Sequence, residues 1–423
     1  MEYKQVLDYL LQLEMMGIKL GLENINRLLS FLGNPHKSYP TIHIAGTNGK
    51  GSTAAIMESI LANSGYRIGL YTSPHLVDFR ERIRINGRLI DQKYISDFFT
   101  DVQKKYEMIN PTFFEAVTAL AFAYFKDEKV DLAIIETGMG GRFDATNVIT
   151  PVVSVITNID HEHTKHLGTD IGKIAFEKAG IIKNGVPVVT SVRDINAARV
   201  IRQACRQKKS NLISVFDETQ WVIQEINESK TELDVLTRSQ KYYNLRLALP
   251  GRHQLENAIC GIVAAELAEP SNVKLTPTGA VRGFREIKWP GRLQRVSKSP
   301  EVILDVGHNP AAMKTLFEYF KEFYEDRYVI TVFGILADKD SNKMLTELGR
   351  FTDVFIITKP MTDKAADTDK IARQASHLSG DFQVIPHVRD AVKIAMENAR
   401  PDDVVLVTGS HYTVGEVLSR LDN

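Results

Sequence analysis

Thr41-Ile42-His43-Ile44-Ala45-Gly46-Thr47-Asn48-Gly49-Lys50-Gly51-Ser52-Thr53 reads as a buried strand that stops at a glycine-rich turn and re-enters as a helix from about residue 52. Such a turn is a phosphate cradle. Its glycines let successive backbone N–H groups face one point, and the helix that follows aims its positive end there. Lys50 adds a charge, and Ser52 or Thr53 offers a hydroxyl to Mg²⁺. The stretch predicts a nucleotide triphosphate site built from Thr47, Asn48, Gly49, Lys50, Gly51 and Ser52. It also departs from the usual phosphate loop, which has a glycine five places before the Gly-Lys pair and a hydroxyl directly after the lysine; here Ile44 and Gly51 stand in those places. A merely flexible glycine turn is the weaker reading, because lysine and hydroxyl both fall at the helix start.

Two short helices, 2–16 and 23–32, precede this strand, the second closing at Gly33-Asn34-Pro35. After it, a strand at 67–71 runs into Thr72-Ser73-Pro74-His75, at the kind of strand end where ligands meet open α/β sheets. Residues 81–90, with an Asn86-Gly87 turn, read as a small hairpin projecting as an insertion. The segment 112–125 is apolar nearly all round and predicts a helix buried against the sheet. Glu115 inside it is either a buried cap for neighbouring backbone or a ligand contact. A strand at 130–135 then delivers Glu136 to a glycine turn, a suitable place for a metal ligand.

A strand at 152–158 leads to His161, His163 and His166. Zinc would want cysteine or further histidine partners that the sequence does not supply, while a histidine beside Glu136 would be an unusual ligand for oxygen-loving Mg²⁺; the residues alone do not choose. A helix at 170–179 ends at Lys178-Ala179-Gly180. Residues 219–248 alternate polar and apolar, which predicts antiparallel strands appended to a parallel core. The pattern breaks at Lys288-Trp289-Pro290-Gly291-Arg292 and restarts as regular strand–helix alternation to the C-terminus, a doubly wound sheet whose first strand ends in Asp305-Val306-Gly307-His308. The expected fold is α/β. Residues 1–294 form a P-loop-type ATPase domain with a mostly parallel sheet and a small antiparallel addition, and residues 295–423 a smaller Rossmann-like domain.

With 423 residues the chain exceeds one comfortable core, in keeping with two domains. Lys+Arg and Asp+Glu both number 52, and this balance argues against a nucleic-acid binder. Cys205 and Cys260 have no metal-type spacing and read as buried thiols of a reducing cytosol. The polar N-terminus and the lack of an apolar run of about 18 residues predict a cytoplasmic protein without a membrane partner. No heptads press for an oligomer, so a monomer is expected.

The spelling Gly46-Thr47-Asn48-Gly49-Lys50-Gly51-Ser52 resembles the nucleotide loop of the folylpolyglutamate synthases, within the Mur-ligase-like ATP-dependent amide ligases. Further blocks in the same order resemble that family: Gly17 to Glu23, Thr72 to Leu76 with Glu81-Arg82-Ile83, Phe114-Glu115, Glu136 to Asn147, Glu177 to Lys183, Trp289 to Arg292, Asp305 to Pro310, and Asp338-Lys339-Asp340. They span nearly the whole chain. The resemblance implies ATP-dependent addition of L-glutamate to the γ-carboxylate of a reduced folate through an acyl phosphate, with the joining of glutamate to dihydropteroate open as a second activity.

It also implies roles. Lys50 and the loop amides would hold ATP phosphates, and Ser73, Glu136 and a histidine would bind two Mg²⁺ ions. Its place five residues before Gly168 selects His163, with Glu162 where the family has an aspartate and His161 close by. Lys178 would be carried as a carbamate (N6-carboxylysine), Asn257 would contact adenine, and Arg292 and Asp305 the nucleotide. His308 would lie near the reacting carboxylate, so that Lys50, Lys178, Arg292 and His308 form the catalytic set. The pteridine end would meet Leu20, Gly21, Leu22 and Glu23, then Thr112, Phe113, Phe114 and Glu115, then Phe143, Asp144 and Ala145. Two other classes compete. A cell-wall Mur ligase would carry a UDP-substrate domain ahead of the loop, where only about 45 residues stand. A non-catalytic nucleotide module would leave Glu136, His163, Lys178, Asp305 and His308 without a task.

Overall fold

The computed structural model describes residues 1–15, 17, 21–162, 168, 170–378 and 381–421. Its first sheet is built from β1 (Thr41–Ala45), β2 (Ile68–Tyr71), β3 (Ile83–Ile85), β4 (Arg88–Leu89), β5 (Leu132–Glu136), β6 (Val153–Ile156), β7 (Val188–Thr190) and β8 (Leu212–Ser214), in the order β4-β3-β2-β5-β1-β6-β7-β8. Strands β1, β5 and β6, mostly apolar, are buried along their whole length, as parallel strands covered on both faces must be. One face is covered by helices Lys50–Ala62, Arg252–Glu266 and Pro277–Glu286, the other by Tyr3–Met15, Glu23–Phe31, Gln92–Ile109 and Phe113–Asp127. Strand β1 lies mid-sheet between β5 and β6, so the ends of these three strands open into one crevice.

One local expectation is corrected. The hairpin at 81–90 does not project: β3 pairs antiparallel with β2, Tyr71 opposite Ile83, and extends the sheet. The strands β9 (Gln220–Ile226), β10 (Thr231–Leu236) and β11 (Lys241–Leu247) form a separate three-stranded antiparallel sheet, whose Leu233, Val235 and Leu245 join the core under Lys50–Ala62. Helix Gln92–Ile109, capped by Asp91, was not anticipated; it buries Ile95, Phe99 and Tyr106.

The second sheet comprises β12 (Gln294–Lys298), β13 (Glu301–Leu304), β14 (Val329–Phe333), β15 (Val354–Lys359), β16 (Asp381–His387) and β17 (Val404–Thr408), ordered β12-β13-β17-β14-β15-β16. It is doubly wound as expected. Helices Pro310–Phe323, Ser341–Leu348 and Thr368–Ala375 cover one face, and Val388–Asn398 and His411–Leu421 the other. The antiparallel edge strand β12, pairing with β13, is an addition to the expected pattern. Among the described residues no helix is long and apolar enough to cross a membrane.

Candidate active site

Strand β1 ends at Ala45, and the loop that follows is stapled to the end of β6. The N–H of Asn48 donates to Asn158 Oδ1 at 2.6 Å, Thr157 Oγ1 donates to the Asn48 carbonyl at 2.7 Å, and Thr47 Oγ1 donates to the Asp160 carbonyl at 3.0 Å. Gly49, at φ 85°, turns the chain into helix Lys50–Ala62, and a Cβ there would lie 2.3 Å from Asn257 Oδ1. Lys50, Gly51 and Ser52 at that helix start, where backbone N–H groups have no partner within the helix, line the cavity, a setting suited to an anion. Lys50 folds back over the loop, its Nζ donating to the carbonyls of Gly46 and Thr47, each at 3.0 Å.

Glu136 closes β5 beside β1, and one of its oxygens accepts the Ser73 N–H at 3.2 Å. Burial pushes its carboxyl up to about 7, the positive charge of Lys50 being the main opposing effect. Such a carboxylate suits a cation. Lys178 lies behind the loop, fully buried; burial, then the like charge of Lys50, pulls its ammonium down to about 7. Among the described residues no three His, Cys, Asp or Glu side chains converge as a metal nest. Ser73 and Glu136 do come together, and the expected third ligand, His163, lies outside the described residues. His161 is exposed, with its N–H donating to Asp160 Oδ1. Glu162 turns instead to the second sheet: its Oε1 is 3.0 Å from His308 Nε2, while His308 Nδ1 meets the Val306 carbonyl at 3.0 Å.

A cavity of about 1040 Å³ lies between the two sheets' loops. Residues 47–52, Ser73, Glu136 and Asn257 line it from the first unit, and Arg292, Asp305 and His308 from the linker and second unit. Asp305 accepts the N–H groups of Leu293 and Gly307 at 3.0 and 2.8 Å; burial raises its carboxyl, with Arg292 opposing. Asn48 and Asn309 exchange side-chain amide hydrogen bonds at 3.2 and 2.9 Å, tying the loop to the cap of helix Pro310–Phe323.

Of the expected pteridine contacts, Gly21, residues 112–115 and 143–145 line the cavity; Leu22 and Glu23 do not, and Leu20 lies outside the described residues. Glu115 forms a capping box with Thr112, whose N–H and hydroxyl both donate to Glu115 Oε2, at 2.8 and 2.9 Å, and it also lines the cavity. Asp144 is likewise engaged, accepting from the Met139 N–H and from Thr146. Phe143 is exposed, with the Arg142 guanidinium 4.3 Å from its ring centroid.

Sequence reasoning gave no role to the cavity's cationic side, Arg82, Lys339 and Lys364, or to Ser410, His411 and Tyr412. Arg82 packs 5.0 Å from the Phe113 ring centroid and donates to His75 Nδ1. A signal existed for the last group: Gly409-Ser410-His411 follows the wholly buried β17, and the strand-end rule that flagged Asp305 applies to it equally.

Comparison with known proteins decides the family. The model of the Mur ligase middle domain matches residues 44–265, and that of the Mur ligase glutamate ligase domain residues 291–411. The dihydrofolate synthase/folylpolyglutamate synthase of Bacillus subtilis (strain 168) is 36% identical over 414 residues, 96% of this chain and 96% of that protein. The chain belongs to the folylpolyglutamate synthase/dihydrofolate synthase family of Mur-type ligases. Solved structures of this family agree. Mycobacterium tuberculosis folylpolyglutamate synthase complexed with ADP is 31% identical, superposes with a TM-score of 0.92 and is matched over 99% of each chain. E. coli FolC in complex with DHPP and ADP, also 31% identical, gives 0.90 over 99% of this chain and 97% of that one. The resemblance and the fold class read from the sequence are borne out.

Proposed function

We propose that this chain joins L-glutamate to the γ-carboxylate of a reduced folate at the expense of ATP, through an acyl phosphate. The observation that carries the reading is one cavity with the phosphate loop and Glu136 on one side and Arg292, Asp305 and His308 on the other, Lys178 being buried behind the loop against Gly46. Residues 1–294 would hold ATP and folate, and residues 295–423 the glutamate-joining part.

In the first step the γ-phosphoryl group passes to the folate carboxylate oxygen and ADP leaves. In the second, the amine of glutamate attacks the acyl carbon, a C–N bond forms, the C–O bond to phosphate breaks, and the amine loses a proton. Lys50 would exchange the Gly46 and Thr47 carbonyls for phosphate oxygens, and Arg292 would meet the charge of the transferring group from the opposite side. His308 would lie beside the reacting carboxylate, held by Glu162 and the Val306 carbonyl. Asn257, behind Gly49, would reach adenine. Ser73 and Glu136, with His163, would hold Mg²⁺, two ions being expected; bound there, magnesium neutralises phosphate charge. The lowered Lys178 supports its carriage as a carbamate, since only a neutral amine takes up CO₂. The pteridine would lie against Gly21, Phe113, Phe114 and Phe143.

The double name of the Bacillus subtilis relative puts dihydropteroate beside reduced folate as a second acceptor. Balanced charge and two buried free thiols support a cytoplasmic monomer that binds small molecules. The test is product mass: incubation with ATP, Mg²⁺, L-glutamate and a folate monoglutamate should yield a folate heavier by one glutamyl residue. An unchanged folate in a protein that binds ATP would refute the reading.

A further inference from the structure

Where the usual phosphate loop has a hydroxyl residue this chain has Gly51, and the structure gives a reason. A Cβ on Gly51 would lie 2.9 Å from Cζ2 of Trp289, in the linker between the two units. The indole is hemmed in. The Arg84 guanidinium sits 4.7 Å from its ring centroid and that of Arg292 6.0 Å, and the ring packs on the core beneath helix Lys50–Ala62. Arg84 belongs to β3 and lies 3.9 Å from Glu58 of the same helix, while Glu58 accepts the Gly87 N–H at 2.8 Å. Trp289 Nε1 is buried with no hydrogen-bond partner among the described residues, so the ring is held by shape and not by its polar edge.

The linker is also fixed at its far end. Gly291, at φ 70°, accepts the Val306 N–H at 2.9 Å, and a Cβ there would meet Val306 Cγ1 at 2.7 Å. Between these two anchors the chain has little slack, and Arg292 is the next residue. A shift at the start of helix Lys50–Ala62 must therefore press on Trp289 and reach Arg292 through Pro290-Gly291.

We propose that Trp289 is a positioning residue that couples occupancy of the phosphate loop to the placement of Arg292, by direct packing on Gly51. The coupling rests on the reading above that a nucleotide occupies the loop. Its test separates the two. The chain has two tryptophans, and Trp221 lies in the three-stranded sheet outside the cavity wall, so Trp221→Phe leaves Trp289 as the only indole. ADP titrated into that variant should change Trp289 emission, saturating together with the heat of binding measured by calorimetry. Heat without an emission change overturns the coupling and leaves the nucleotide reading intact; absence of heat overturns both.

A kinetic cycle gives a second readout. Gly51→Ala should lower kcat on the order of tenfold with little change in the KM for ATP, because misplaced Arg292 acts on the reacting phosphoryl more than on bound nucleotide. In a Trp289→Phe background the same change should cost less than about twofold, since the shorter ring makes room for the methyl group. Losses that simply multiply, or a Gly51→Ala enzyme with unchanged kcat, would overturn the proposal.

Discussion

Lys178 Nζ donates to the carbonyl oxygen of Gly46 at 2.5 Å, so a buried lysine from helix Ile171–Ala179 is tied to the first glycine of the phosphate loop. Its ammonium is pulled down to about 7, by burial and then by Lys50, and the neutral amine is therefore accessible at ordinary pH. Enzyme equilibrated with ¹³C-bicarbonate should show a carbamate carbon resonance that Lys178→Met lacks, and the variant should lose turnover by about a hundredfold. An active enzyme without that resonance would show that Lys178 works unmodified.

Among the described residues the Lys50 ammonium makes two hydrogen bonds, both to loop carbonyls on its own turn. Lys50→Ala should therefore cost about 1 kcal/mol of stability or less while lowering kcat on the order of 10²-fold or more. Thermal melting and steady-state kinetics on the same preparation check both. Wild-type turnover would remove Lys50 from the phosphate chemistry.

His161 is exposed and its backbone N–H is bonded to Asp160, away from Ser73 and Glu136, the proposed metal ligands. His163→Ala should thus be far more damaging than His161→Ala, and its loss should be partly recovered at high Mg²⁺. The reverse order would move the metal site two residues back.

His43 sits wholly inside β1. Thr146 Oγ1 already donates to Asp144, so His43 Nε2, 2.8 Å away, must carry the proton and donate to Thr146. Burial, aided by the charge of Lys183, holds the imidazole down to about 3. The unfolded value is about 6.5, so between the two the unfolded chain binds the extra proton; this contribution to stability is complete above pH 6.5 and is lost as pH falls. From pH 7 to 5 it amounts to about 2 kcal/mol. His36 and His253, both lowered to about 4 chiefly by burial, act with the same sign. The melting temperature should fall across this range, and His43→Gln should flatten the fall; an equally steep fall would contradict the assignment.

Much of this was legible in the chain because its cause is local. The glycine turn after a buried strand marked the phosphate loop, and strand–helix alternation after Val302 marked the second sheet. Two further signals are local. Ile95, Phe98, Phe99, Val102 and Tyr106 follow the helical period behind the Asp91 cap, and Thr112-Phe113-Phe114-Glu115 has capping-box spacing. The rest depends on partners far apart in sequence. Whether β3 projects or pairs depends on β2 offering a free edge, and the contacts of Glu162 with His308, Asn48 with Asn309 and Gly51 with Trp289 exist only once both units are folded.

The most direct test of the central claim is ADP release from ATP and Mg²⁺, measured with L-glutamate and a reduced folate together and with each left out. The account predicts rapid release only when both acceptor and glutamate are present, with one folate extended per ADP. Release at the same rate without folate, or none with the full mixture in a protein that binds ATP, would contradict it.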